Sequence, residues 1–136
     1  MRLLLAVVVL CAVSSFAAET SPCITIDKAK DFVGQEACVT GKVYRVGYSD
    51  TGTALLTFCE DYKNCPFSAV VFSRDVDKVG NLRVFEGREL EVTGRVREYH
   101  GTAEIVVKSR KQFSGEAMSP RLGRDDENPR SGNWHR

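Results

Sequence analysis

Val92-Thr-Gly-Arg-Val96 lies within residues 89–97, where Leu90, Val92, Gly94 and Val96 alternate with Glu89, Glu91, Thr93, Arg95 and Arg97. Side chains of a strand point alternately to its two faces, so this period of two specifies a strand with one apolar and one solvated face. The same local pattern stands 53 residues earlier as Val39-Thr-Gly-Lys-Val43. A pattern that recurs once is no solenoid repeat. Glycine in mid-strand weakens the strand unless the backbone must bulge, bend or approach another chain closely. Two such glycines in equivalent contexts imply strands that curl around a closed barrel.

Working outward, residues 37–46 read as a β-branched and aromatic strand around Gly41, ended by the loop Gly47-Tyr-Ser-Asp-Thr-Gly52. Residues 53–59 resume a strand, residues 60–66 form a turn, and Phe67-Ser-Ala-Val-Val-Phe72 is an apolar strand buried on much of both faces. Ser73 opens a short helix with Val76 and Val79 three apart and Gly80 as its end. After the strand at 89–97, Tyr99-His-Gly-Thr102 turns the chain into a fifth strand that ends near Ser109. A further short helix precedes the first strand over residues 27–34, with Asp27 or Thr25 as N-cap, Ile26, Ala29 and Val33 on one stripe, and Gly34 as its stop.

Five short strands with a helix between the third and the fourth is the topology of the OB-fold, a five-stranded Greek-key barrel, so the fold class expected is all-β with short helices. Residues 24–113 also resemble a bacterial OB-fold family of the tRNA-anticodon-binding-like type. The motifs that carry this resemblance are Ala29-Lys-Asp-Phe-Val-Gly34, Val39-Thr-Gly-Lys-Val43, Pro66-Phe67 and Val92-Thr-Gly-Arg-Val96. They specify a fold and not a chemistry. The Cys59 and Cys65 pair departs from the family pattern and fits an exported variant. A second exported OB-fold group, the periplasmic stress-associated one, shares the leader and the barrel.

Export is read from the first residues. Arg2 supplies a positive start, residues 3–13 form an apolar run of 11, and Ser15-Phe16-Ala17 offers small residues for signal peptidase, so residues 1–17 are expected to be a signal peptide. Eleven apolar residues reach only about 16 Å as a helix, roughly half a bilayer core, so no membrane span is expected after cleavage. Val9 and Leu10 before Cys11 disfavour a lipoprotein. The chain is expected to be periplasmic or secreted.

In such a compartment the four cysteines left after the leader read as disulfides. Sequence separation favours Cys59 with Cys65 and leaves Cys23 with Cys38. A zinc site is disfavoured, because there is no Cys-x-x-Cys and the only histidines are His100 and His135. No cofactor is implied. Residues 18–113 are expected to form the barrel domain. Residues 114–136, with Pro120, Pro129 and three glycines in a polar stretch, are expected to be a disordered tail that carries Trp134.

OB-folds bind through the face of strands two and three and the loops joining strands one to two and four to five. Those loops carry Tyr48, and Tyr99 with His100, flanked by Arg45 and Arg97; Tyr44 and Tyr62 extend the same platform. Aromatics beside cations stack bases and hold phosphates. The competing reading is that the tyrosines pack at the barrel rim and that arginine beside glutamate on an exposed strand is a solvated pair. No nucleophile elbow, zinc-protease helix or phosphate loop occurs, so no catalysis is expected. Nineteen basic against eighteen acidic residues, equal in number once Arg2 leaves with the leader, withhold the electrostatic case for a nucleic-acid or membrane-surface partner. Two ligand classes follow: single-stranded nucleic acid or a similar oligomer, from the resemblance and the loop aromatics, and an envelope protein or small ligand, from the neutral charge. A contiguous basic stripe favours the first, a mixed-charge or apolar groove the second.

Overall fold

A computed structural model describes residues 22–120 of the chain. The expected leader, residues 1–17, and the part of the expected tail beyond residue 120, Trp134 included, lie outside the described residues.

The molecule is mainly β. Its strands are β1 (Ile24–Thr25), β2 (Glu36–Lys42), β3 (Arg45–Tyr48), β4 (Ala54–Thr57), β5 (Phe67–Val71), β6 (Glu89–Tyr99), β7 (Thr102–Val106) and β8 (Phe113–Ser114), with one α-helix, α1 (Ser73–Val79), between β5 and β6. They form one mixed sheet in the order β1-β2-β6-β7-β5-β4-β3, with β8 on β6. Only β1 with β2 and β5 with β7 run parallel.

The count of eight strands corrects the expected five, and the helix accordingly falls between the fifth and sixth. The strand expected at 37–46 is interrupted at Val43 and Tyr44 and resumes through Tyr48, where a loop was expected. The interruption is a corner with satisfied backbone groups. Val43 donates to Arg88 at 3.0 Å and accepts from Gly87 at 2.6 Å on the β6 side, whereas Tyr44 donates to Thr57 at 2.8 Å on the β4 side. The two-residue strands β1 and β8 are too short to leave a period in the sequence.

The leading helical segment, Ile26–Phe32, is a 3-10 helix and not an α-helix. Three residues per turn bring 26, 29 and 32 onto one side. Ala29 is therefore buried, with Ile26 and Phe32 packed beside it, and Val33, expected on the stripe, is 41% exposed. The Thr25 hydroxyl donates to the Asp27 carboxylate at 2.5 Å, and this hydrogen bond holds the Asp27 pKa below the usual aspartate value. The second helix forms where Ser73 and Gly80 bracket it, and Gly80 donates to the Val76 carbonyl at a positive φ of 88°.

The alternating residues of β6 behave as read: Leu90, Val92 and Val96 are buried. They join Val39, Val46, Leu56, Phe67, Val71 and Ile105 in one core, where Phe58 lies 5.2 Å from Phe67 and Phe85 lies 5.2 Å from Phe113. Both expected disulfides are present, Cys23–Cys38 with Cα atoms 4.6 Å apart and Cys59–Cys65 with 5.5 Å. The first ties the parallel strand β1 to β2. The second clips the turn before β5.

The fold continues past residue 113, the expected boundary. Ser114 pairs with Glu91 in β8, Ala117 is buried, and the Arg88 guanidinium donates to the carbonyls of Ala117, Glu116 and Ser119 at 3.0, 2.9 and 3.0 Å. One arginine thus gathers three carbonyls from residues 28–31 positions further along the chain, a long-range arrangement without local periodicity. Replacing Arg88 by alanine is expected to lower stability by about 1.5–3 kcal/mol, the contribution of a hydrogen bond from a charged donor. Thermal unfolding followed by circular dichroism should register a fall of several degrees; an unchanged midpoint would show that residues 114–119 add nothing to the fold.

Candidate nucleic-acid interface

Residues paired across a sheet project to the same face. On the outward face of β3, β4, β5, β7 and β6, one row runs Arg45, Thr57, Ser68, Glu104 and Arg97, and the next runs Gly47, Leu55, Val70 and Val106. The first is polar, the second apolar. Apart from the end residues Arg45 and Val106, they floor a groove of about 1020 Å3 whose walls are the β3–β4 connection, the turn before β5, and the β6–β7 hairpin.

Five of the seven residues singled out in the sequence line this groove: Tyr48, Tyr62, Arg97, Tyr99 and His100. Arg45 continues the polar row at its far end but is not part of the wall, and Tyr44 also stands apart, with the Lys42 ammonium 5.2 Å from its ring. Two contributors were missed, Leu55 and Phe72. Phe72 reads as the end of a buried strand, yet it has the parity of Ser68 and Val70, the outward residues of β5; following the alternation one step further finds it.

Each wall has its own positioning device. Tyr48 ends β3 beside a connection in which the Ser49 backbone donates to the Thr53 carbonyl and accepts from the Gly52 N–H, at 2.9 Å each. Tyr62 rides on a 3-10 turn held by the Asp61 carboxylate, which accepts from Lys63 at 3.0 Å and Asn64 at 2.6 Å, inside the ring closed by Cys59–Cys65. Tyr99 pairs with Thr102 across a two-residue turn, His100-Gly101, whose φ angles are 49° and 76°. Two positive φ values mark the hairpin turn that matches strand twist. The His100 ring packs edge-on to Tyr99, with centroids 4.2 Å apart.

Four groove aromatics each have a cation near the ring. Arg83 lies 5.3 Å from Tyr48, Lys63 5.9 Å from Tyr62, Arg74 5.4 Å from Phe72, and Arg97 5.8 Å from Tyr99 and 5.7 Å from Phe72. Tyr48, Tyr62 and Tyr99 are 42, 64 and 57% exposed, so their faces are open to a ligand. The floor is different. Arg97 and Glu104 stand opposite each other in register, and the Arg97 guanidinium binds the Glu104 carboxylate through Nε, at 2.6 Å, and Nη2. Glu104 is only 4% exposed, so this is no solvated surface pair, and the Arg97 charge is matched within the groove.

The titratable groups of the groove are Arg97 with Glu104, His100 and the tyrosines. Among the described residues, the one constellation of metal-ligand type is Cys23, Cys38 and Glu91, and its two sulfurs are joined in a disulfide. No described helix is long and apolar enough to cross a membrane.

No family model and no curated protein matches the chain. Solved structures similar to it include a candidate aspartyl-tRNA synthetase from Leishmania major, 14% identical over 71% of this chain with a TM-score of 0.47. An OBody solved bound to hen egg-white lysozyme is 20% identical over 56% of this chain and 75% of its own, with a TM-score of 0.40. A candidate nucleic-acid-binding lipoprotein from Klebsiella pneumoniae is 15% identical over 60% of this chain and 74% of its own, with a TM-score of 0.33. The chain spans 21% of the length of the synthetase it resembles.

Proposed function

We propose that the chain is an exported, non-catalytic OB-type binding module whose aromatic groove takes single-stranded nucleic acid, or a similar oligomer, by stacking. The barrel is supported by the sheet path. Its flanks β2 and β3 are separated in sequence by two residues; counted as one bent strand, they close a five-strand circuit with α1 between its third and fourth members. Two disulfides support an oxidising compartment, periplasmic or extracellular.

The observation that carries the ligand is the set of four aromatics around one groove, each beside a cation, on the face that OB barrels use. Every base has a π-face, so stacking needs no sequence code. A second class, an envelope protein or small apolar ligand, is favoured by the neutralised Arg97–Glu104 floor and the apolar row of Leu55 and Val70.

Fluorescence anisotropy with a labelled oligothymidylate at low salt tests the assignment. Saturable binding is expected, and Tyr48→Ala or Tyr99→Ala should each weaken it by about 1–3 kcal/mol with little change in its salt dependence. A short oligonucleotide confined to the groove should lose affinity with a slope of about 0.7 or less in log K against log salt, corresponding to one phosphate contact at most. No saturable binding by the oxidised protein rejects nucleic acid and leaves the envelope ligand.

A further inference from the structure

Beside the groove lies a second depression, of about 510 Å3, lined by Arg95, Arg97, Lys108 and Lys111 with Glu36 the one carboxylate. It opens where β6 and β7 stop pairing, past Val96 and Ile105. Gln112 bridges the gap. Its amide nitrogen donates to the Thr93 and Val106 carbonyls at 3.1 and 3.2 Å, and its amide oxygen accepts from the Lys108 and Ser109 backbones at 2.8 and 3.2 Å. A Ser109–Gln112 capping box fixes the turn that carries Lys111. The cations therefore sit on a braced backbone. Arg95 faces Glu36 in register, yet among the described residues Arg95, Lys108 and Lys111 form no ion pair.

Arg97 lines both depressions, so they adjoin at its side chain. Aromatic faces lie on one side of it and uncompensated cations on the other. We propose that Lys108 and Lys111, with Arg95, form a phosphate-binding extension of the groove, so that a single strand stacks its bases on the aromatics and carries its backbone across Arg97 into the cleft. This inference rests on the nucleic-acid assignment above and adds the course of the bound strand: bases toward the β3–β4 connection and the β6–β7 hairpin, phosphates toward the end where β6 and β7 stop pairing. It also explains how a neutral chain and a neutral groove floor accommodate a polyanion, because further cations are gathered beside that floor.

The test uses the oxidised full chain and two labelled oligothymidylates, of about four and about twelve nucleotides, which bracket the lower and upper range for one such barrel. Salt titrations are compared for the wild type, Lys108→Gln with Lys111→Gln, and, as a charge-matched control on the exposed side of the first 3-10 segment, Lys28→Gln with Lys30→Gln. In the wild type the longer oligonucleotide should show a salt slope steeper by about 1.4, equivalent to two phosphates. The cleft variant should abolish that difference while leaving the short oligonucleotide's affinity unchanged, and the control should preserve it. A slope difference that survives in the cleft variant, or that never appears, overturns the extension and leaves the stacking groove intact. Failure of both oligonucleotides to bind overturns the groove assignment and the extension together.

Discussion

Replacing Cys23 and Cys38 by serine is expected to lower stability by about 3 kcal/mol, and replacing Cys59 and Cys65 by about 2 kcal/mol, from the loop-closure entropy restored to the unfolded chain. The sequence separations, 15 and 6 residues, set that ranking. The longer ring should matter more for a second reason. Strand β1 is two residues long and pairs with β2 through Ile24 and Thr25 alone, so the covalent tie anchors the chain where it enters the 3-10 segment carrying the buried Ala29. For a domain of this size the midpoint should fall by about 12–24 °C for the first pair. Non-reducing peptide mapping fixes the pairing and thermal unfolding reads the loss. A reduced protein that melts with the oxidised one would contradict the entropy argument. The shorter ring has a separate signature: releasing it frees the turn that presents Tyr62, so ligand affinity should fall more than stability alone accounts for.

Gly94→Ala should be destabilising by about 1–3 kcal/mol, the usual range for overpacking a filled core. The opposite sign is the ordinary expectation, because alanine loses less entropy than glycine when a strand interior is ordered. What reverses it is a Cβ position only 2.7 Å from Ile105 Cγ2 and 3.0 Å from Gln112 Nε2. Ile105 is fully buried and cannot withdraw. At Gly41, the matching residue of the other motif, a Cβ would meet Ile26 Cγ2 at 2.8 Å and Phe58 Cδ1 at 3.1 Å. Ile26 is only partly buried and can yield, so Gly41→Ala should cost less. Urea unfolding of the two variants checks the order. Adding Ile105→Val to Gly94→Ala should recover part of the loss, a coupling that distant sites do not show. Gly94→Ala as stable as the wild type would remove the close-approach explanation.

Those two glycines were the most informative letters in the sequence, since a mid-strand glycine has few reasons to exist and close approach is one of them. The strong period of two in β6 was equally legible because one of its faces is solvated. Legibility failed where structure is made by contacts distant in sequence. The corner at Val43 and Tyr44 depends on Gly87, Arg88 and Thr57, which no local pattern announces. The pairing of β8 and the burial of Ala117 past residue 113 go with Arg88, far upstream, which binds the carbonyls of residues 116, 117 and 119. The first helix was read at 3.6 residues per turn when its buried positions repeat at three, which exchanged Phe32 for Val33. At the groove, loop aromatics were found by their place in the strand order. Phe72 and the buried state of Glu104 depend on strand parity and cross-strand register, which exist only once the strands are paired.

The central claim, that the aromatic face of β3, β4, β5 and β7 is where single-stranded nucleic acid binds, is tested most directly by titrating the isotope-labelled, oxidised protein with an unlabelled oligothymidylate and following backbone amide shifts. Saturable changes should appear at Tyr48, Leu55, Tyr62, Ser68, Tyr99 and Thr102, with the amides of the 3-10 segment Ile26–Phe32 unmoved. No change at any of those groove amides, or changes centred on the opposite side of the sheet, would contradict it.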